Sequence, residues 1–188
     1  MVDERFVAPH HHYHNFRALS QNLLSRVPIP ECNIHPILTD VKSEKISAGR
    51  YQKDLKGFFH LPNGKFPRFD LMLLGIGQDG HAASLFPGSR ALNEKRRLAV
   101  SVVKSNVKYK RITLTLPTLQ KAANILFIVT GREKSGTVGD VFKKDSRLPA
   151  ALVSQGKGNV FFLLDKTASA RLQSKRFYKS FANSTIRR

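Results

Sequence analysis

The stretch LLGIGQDGHAASLFPGS, Leu73 to Ser89, decides how this chain is read. Its apolar start, part of a buried strand expected over Asp70 to Gly75, runs into a glycine turn. The pattern predicts a strand, a turn and then a short helix beginning near His81. Gly75-Ile76-Gly77-Gln78-Asp79-Gly80 also satisfies the Gly-x-Gly-x-x-Gly pattern of dinucleotide-binding folds. That pattern needs a long helix after its third glycine and an acidic residue about 20 positions further on. Glu94 stands in the right range, but Pro87 and Gly88 cut the helix short. The turn is therefore read as one that presents His81. Ligands of open α/β sheets bind at such strand-to-helix turns. A helix opening after Gly80 would set its positive end beside His81 and favour the uncharged imidazole, a base. Nearby backbone N–H groups would steady a developing oxyanion. Asp79 is close enough in sequence to orient the ring or the substrate. The residues alone also allow a plain turn in which His81 only caps a helix.

Outward from this turn the pattern alternates. Asn15 to Val27 carries apolar residues on one helical face and stops at Pro28 and Pro30. Asn33 to Leu38 reads as a short strand, Ser43 to Gly57 as a weak helix and Leu61 to Arg68 as a loop. Leu98 to Val103 and Arg111 to Leu116 are strands, and Pro117 to Asn124 is a short helix. Ile125 to Thr130 and Val160 to Leu164 are apolar strands. The first leads through Gly131 into a helix reaching about Lys143, and the second into a helix capped by Asp165. Strands alternating with helices predict an α/β fold: an open, mostly parallel, Rossmann-like sheet with helices on both faces. Residues 1–178 read as one domain and 179–188 as a basic polar tail.

The chain has 188 residues, 32 Lys and Arg against 13 Asp and Glu, and a formal net charge of +19. That excess favours an anionic partner. The basic clusters, Lys95-Arg96-Arg97, Lys108 to Arg111 and Arg187-Arg188, carry no RNA-binding aromatic signature, so nucleic acid is not the expected partner. No apolar run reaches the roughly 18 residues of a membrane helix, and no apolar signal core opens the chain. Cys32 is the single cysteine, which fits a reducing cytoplasm and leaves no disulfide to form. The cluster His10, His11, His12 and His14 is too dense for one face of a helix or strand, and no required metal is expected there.

The motif LLGIGQDGHAASLFPGS resembles the signature of the 6-phosphogluconolactonases. DERFV (Asp3 to Val7), RITLTLPTLQKAANILFIVTGREK (Arg111 to Lys134), LPAALV (Leu148 to Val153) and FFLLDKTASARL (Phe161 to Leu172) resemble further blocks in the family's order. The sibling glucosamine-6-phosphate isomerases tend to read Ile-Ala-Phe-Asn-Glu-Pro after the histidine. Here Ala82-Ala83-Ser84-Leu85-Phe86-Pro87 stands, the lactonase form. The resemblance implies hydrolysis of 6-phosphogluconolactone, a phosphorylated sugar lactone, without metal or cofactor. It implies His81, Arg5 and Asp3 as catalytic residues, and Asp79, Gly80, Lys134 and Arg111 as substrate-binding residues. Lys134 also follows a strand and a glycine, a natural place for an anion.

The sequence departs from the family in two places. His14 stands where serine is common before Asn15. The family also carries a longer N-terminal part, with its first strands and a Gly-Gly-Ser phosphate turn, and no Gly-Gly-Ser occurs here. An N-terminally truncated sheet with an unpaired strand edge is the corresponding expectation. A non-catalytic paralogue that binds sugar phosphates or a protein partner is the alternative.

Overall fold

The computed structural model describes residues 1–105 and 107–172. Within these residues two three-stranded sheets share one hydrophobic core. The first is antiparallel: β1 (Asp3–Arg5), β4 (Arg111–Leu114) and β3 (Ala99–Val102), in that order. The second is parallel: β2 (Met72–Leu74), β5 (Asn124–Val129) and β6 (Asn159–Leu164). The expected mostly parallel sheet is thus corrected to a mixed arrangement. The cause is local. Residues 103–110 between β3 and β4 are too few to carry the crossover a parallel pair needs, so the two strands return antiparallel.

Among the described residues five α-helices accompany the strands: α1 (Asn15–Asn22), α2 (Glu44–Phe58), α3 (Leu116–Gln120), α4 (Ser135–Val141) and α5 (Pro149–Ser154). Ser43 caps α2 by accepting the Ile46 N–H, and Ala48, Tyr51 and Leu55 turn its apolar side inward. Pro117 and Pro149 begin α3 and α5, where a missing N–H costs nothing. The parallel sheet buries Met72, Leu74, Ile125, Phe127 and Val129 on one face. On its other face Leu73, Ile128 and Leu163 are about half exposed.

Three further expectations change. Residues 34–38 run without regular structure; Ile37 is buried there, but the Leu38 carbonyl accepts from the Ser47 hydroxyl rather than from a strand. The helix from Asn15 ends at Asn22, and a 3-10 turn covers Leu24–Arg26. After β6, residues 166–172 form turns in place of a helix. There Asp165 divides its oxygens between the Ala168 N–H at 2.6 Å and the Gly131 N–H at 3.0 Å, tying the end of β6 to the end of β5. The predicted tail, 179–188, lies outside the described residues.

Candidate active site

No helix follows the glycine turn. Residues 81–89 form tight turns instead, closed by a bridge between Ala82 and Leu85 with Ala83 at φ 51°. The expectation of a helix dipole at His81 is corrected accordingly. The backbone spends its hydrogen bonds elsewhere. Ser84 N–H donates to Thr113 Oγ1 at 3.2 Å, and Ser84 Oγ donates to Asp3 Oδ2 at 2.6 Å. Ala82, Leu85 and Phe86 sink into the core. Burying those three side chains while docking Ser84 on β1 and β4 is incompatible with a helical path.

The turn itself is braced from the neighbouring helices. Lys134 Nζ donates to the Ile76 carbonyl at 2.7 Å, and Thr137 Oγ1 donates to the Gln78 carbonyl at 2.6 Å. Gly80, at φ 82°, accepts the Ala150 N–H of α5 at 3.0 Å. A Cβ on Gly80 would stand 2.8 Å from a Leu148 methyl carbon, so both the backbone conformation and the packing require glycine. Gly77 answers a different demand: a Cβ there would lie 2.0 Å from His81 Nδ1. The imidazole lies directly over the Gly77 backbone and also meets Phe86, with ring centroids 4.7 Å apart.

His81 Nδ1 is 2.5 Å from Asp79 Oδ1, and the same oxygen accepts the His81 backbone N–H at 3.2 Å. Partial burial opposes the charge on Asp79. The hydrogen bonds from His81, its charge and that of Lys104 outweigh the burial and hold the carboxyl below its ordinary range. A carboxylate at Nδ1 fixes the proton there and leaves Nε2 as the basic nitrogen. The pair sits in a cleft of about 710 Å³ at the carboxyl end of β2, which Asp3, Gln78 and Lys134 also line.

Of the seven residues singled out in the sequence, the fold brings His81, Asp79, Asp3 and Lys134 to this cleft. Gly80 shapes the turn behind it. Arg5 and Arg111 face each other across the β1–β4 ladder, outside the cleft lining. The Arg5 guanidinium is held by the Tyr13 carbonyl at 3.0 Å and by the Asn15 side chain. Arg111 Nε is buried without a hydrogen-bond partner among the described residues. Burial, with Arg5 alongside, lowers the pKa of Arg111, against Asp3 and Glu4.

Sequence reasoning missed Ser84, Thr137 and Lys104. Thr137 lies three residues past Lys134 and shares its face of the chain's turn, a spacing that would have suggested it. Ser84 and Lys104 carried no local signal. Among the described residues, no three His, Cys, Asp or Glu side chains gather to hold a metal ion. No helix of the described residues is long and apolar enough to cross a membrane.

An α/β protein with an Asp-oriented histidine in a cleft at the ends of parallel strands is the class these features define. Within that class the chain belongs to the glucosamine-6-phosphate isomerases/6-phosphogluconolactonase family, whose model matches residues 1–162. It is 37% identical over 174 residues to the 6-phosphogluconolactonase of Synechocystis, covering 91% of this chain and 71% of that protein. It is also 37% identical over 181 residues to the chloroplastic 6-phosphogluconolactonase 3 of Arabidopsis thaliana, covering 91% of this chain but 54% of that one. The solved 6-phosphogluconolactonase of Trypanosoma brucei superposes with a TM-score of 0.80 at 31% identity, covering 92% of this chain and 73% of that structure.

Proposed function

We propose that the protein hydrolyses 6-phosphogluconolactone to 6-phosphogluconate, with His81 as general base and then general acid. The observation that carries this reading is the 2.5 Å contact of His81 Nδ1 with Asp79 at the foot of the cleft. With that nitrogen engaged, Nε2 takes a proton from water as the water oxygen bonds to the lactone carbonyl carbon. The ring C–O bond then breaks, and the imidazolium returns the proton to the departing ring oxygen. The new carboxyl group loses its own proton to solvent. A δ-lactone is a reactive ester, so positioning and acid–base help suffice, and the latter is worth about 10²- to 10⁴-fold.

Lys134 is the cleft cation suited to the substrate's phosphate. Its carbonyl bond to Ile76 uses one of three ammonium protons and points the head group at the turn. Asp3, steadied by Ser84, is placed to accept from sugar hydroxyls. Arg5 and Arg111 add positive potential along the sheet face that Asp3 begins, and this favours approach of an anionic substrate. Cys32 is an exposed free thiol, which fits the cytoplasm as the compartment.

The test is lactone hydrolysis followed by proton release at constant pH, on the native chain and on His81→Ala. Turnover by the native chain and a loss of about 10²-fold or more in the variant is the expected result. A variant that keeps full turnover removes His81 from the mechanism. Arg5, committed to the start of α1 and not to the cleft, favours a second reading in which the site binds sugar phosphates without turning them over. Binding of 6-phosphogluconate by a native chain that does not hydrolyse the lactone distinguishes it.

A further inference from the structure

Two segments far apart in the sequence, His10 to Tyr13 and Lys108-Tyr109, meet on the surface and assemble a group of rings. His11 stacks on His12 with centroids 4.5 Å apart and planes 19° from parallel. His12 and Tyr13 are 4.1 Å apart, His11 and Tyr109 5.5 Å, and Tyr13 and Tyr109 5.7 Å. Cations surround them. Lys108 Nζ lies 5.1 Å from the Tyr109 centroid and 5.9 Å from that of Tyr13, and the Arg5 guanidinium lies 5.7 Å from Tyr13. Tyr13 is 44% exposed. The Arg17 guanidinium donates to the His10 carbonyl at 2.9 Å, and among the described residues no carboxylate pairs with Lys108, Arg5 or Arg17.

We infer that this ring-and-cation platform binds single-stranded nucleic acid, its bases stacking on the tyrosine and histidine rings and its phosphates meeting Lys108, Arg5 and Arg17. Aromatic rings interleaved with cations are the arrangement that takes up unpaired bases together with a phosphate backbone. His12 and Tyr13 are exposed, with His11 and Tyr109 half-buried beside them, and rings spread over two segments favour a strand over a mononucleotide. Duplexes keep their bases stacked internally and have none to offer. The local field points the same way. His11 is held below the ordinary imidazole range by its packing and then by His12, Lys108, His10 and Arg17, an uncompensated positive field that phosphates would neutralise. The +19 of the whole chain extends this field. The rings were invisible as a nucleic-acid signature in the sequence because only folding brings Tyr109 to Tyr13. The inference is independent of the lactonase reading, since its test measures binding and not turnover.

The experiment is fluorescence anisotropy of a labelled uridine dodecamer, titrated with the full chain at several salt concentrations. Tyr13→Ala/Tyr109→Ala, Tyr13→Phe/Tyr109→Phe and Lys108→Ala are compared with the native chain, each checked for native circular dichroism. Loss of a stacking ring weakens binding by about 5- to 100-fold per base. The expected results are therefore a loss of that order in the double alanine variant, near-native affinity in the double phenylalanine variant and a shallower salt slope in Lys108→Ala, by about 0.7. The labelled strand annealed to its complement should bind at least about 5-fold more weakly. Native affinity in the double alanine variant, equal affinity for the duplex, or no binding to the dodecamer overturns the inference.

Discussion

His81 and Gly77 form one functional unit, because the ring occupies the volume that any side chain at position 77 would need. Gly77→Ala would drive a methyl group into Nδ1 and displace the imidazole from Asp79. A displacement near 1 Å costs about 10²-fold in rate, so the variant is expected to lose activity on that order while keeping the native circular dichroism spectrum. Steady-state kinetics beside thermal melting checks this, and a fully active, stable Gly77→Ala protein would mean that the ring position is not critical. Asp79→Asn tests the partner. The amide can turn its NH₂ toward Nδ1, which then accepts and puts the proton on Nε2, the nitrogen the mechanism needs bare. Lactone turnover at neutral pH is expected to fall by at least about tenfold, with little effect on the affinity for 6-phosphogluconate. Much of this was legible in the sequence because His81, Asp79 and Gly80 are consecutive or nearly so, and because Lys134 follows a strand and a glycine. Asp3 was reached only by resemblance. Its partner Ser84 lies 81 residues away, and a bond between them depends on packing β1 against the turn, which no local pattern encodes.

At the scale of elements, α1 depends on an acid that sequence reasoning passed over. Glu4 is fully buried on β1 and accepts the backbone N–H groups of Asn15, Phe16 and Arg5, each at 2.7 Å. His14 takes the next one, Arg17 N–H, on Nδ1 at 3.2 Å, which leaves Nε2 to donate to Thr39 Oγ1 at 3.0 Å. The first turn of α1 is thus capped by one strand residue and one histidine, and the His10–His14 cluster finds its use here and on the surface. In Glu4→Gln one carboxylate oxygen becomes a donor facing a donor. The expected cost is about 2–3 kcal/mol, lowering Tm by about 4–12 °C for a chain of this size; an unchanged Tm would deny Glu4 its capping role. Strands β2, β5 and β6 were legible from their unbroken apolar runs and β4 from its alternation, whereas α2 read only as a weak helix because its sequence is mostly polar. The helix expected after Gly80 was not realised because Ala82, Leu85 and Phe86 are claimed by the core and Ser84 by the antiparallel sheet. The mostly parallel sheet failed for a related reason: alternation of strands and helices along the chain says nothing of strand direction when one connection is too short for a crossover.

For the molecule as a whole, charge sets the response to acid. Among the described residues, four carboxyl groups in separate parts of the chain have pKa values below their ordinary range. In Glu44 its own backbone N–H and then Lys110, 3.1 Å away, overcome its burial. In Glu94 the Arg96 N–H leads, and in Asp165 the N–H groups of Ala168 and Gly131; Asp79 is held by His81 against its partial burial. A carboxyl whose folded pKa is depressed binds its proton more readily in the unfolded chain. The stability it contributes is complete above the unfolded values, about 4, and drains away as the pH falls through the lower folded values. Protonation also strips negative charge from a chain that already carries +19 at neutral pH, so self-repulsion grows in the same window. Tm is therefore expected to be nearly level from pH 7 to about 5 and to fall steeply between about 5 and 3. Glu44→Gln should flatten part of that fall, having already given up its share. Salt should act oppositely to acid: raising sodium chloride from about 0.05 to 0.5 M screens the repulsion among exposed cations and lifts Tm at pH 7. Melting curves across both series decide the matter. A Tm indifferent to pH between 5 and 3, or one lowered by salt at pH 7, would show that the surplus of basic residues is already offset within the fold, and that the positive field invoked for the cleft and for the ring platform is weaker than the composition implies.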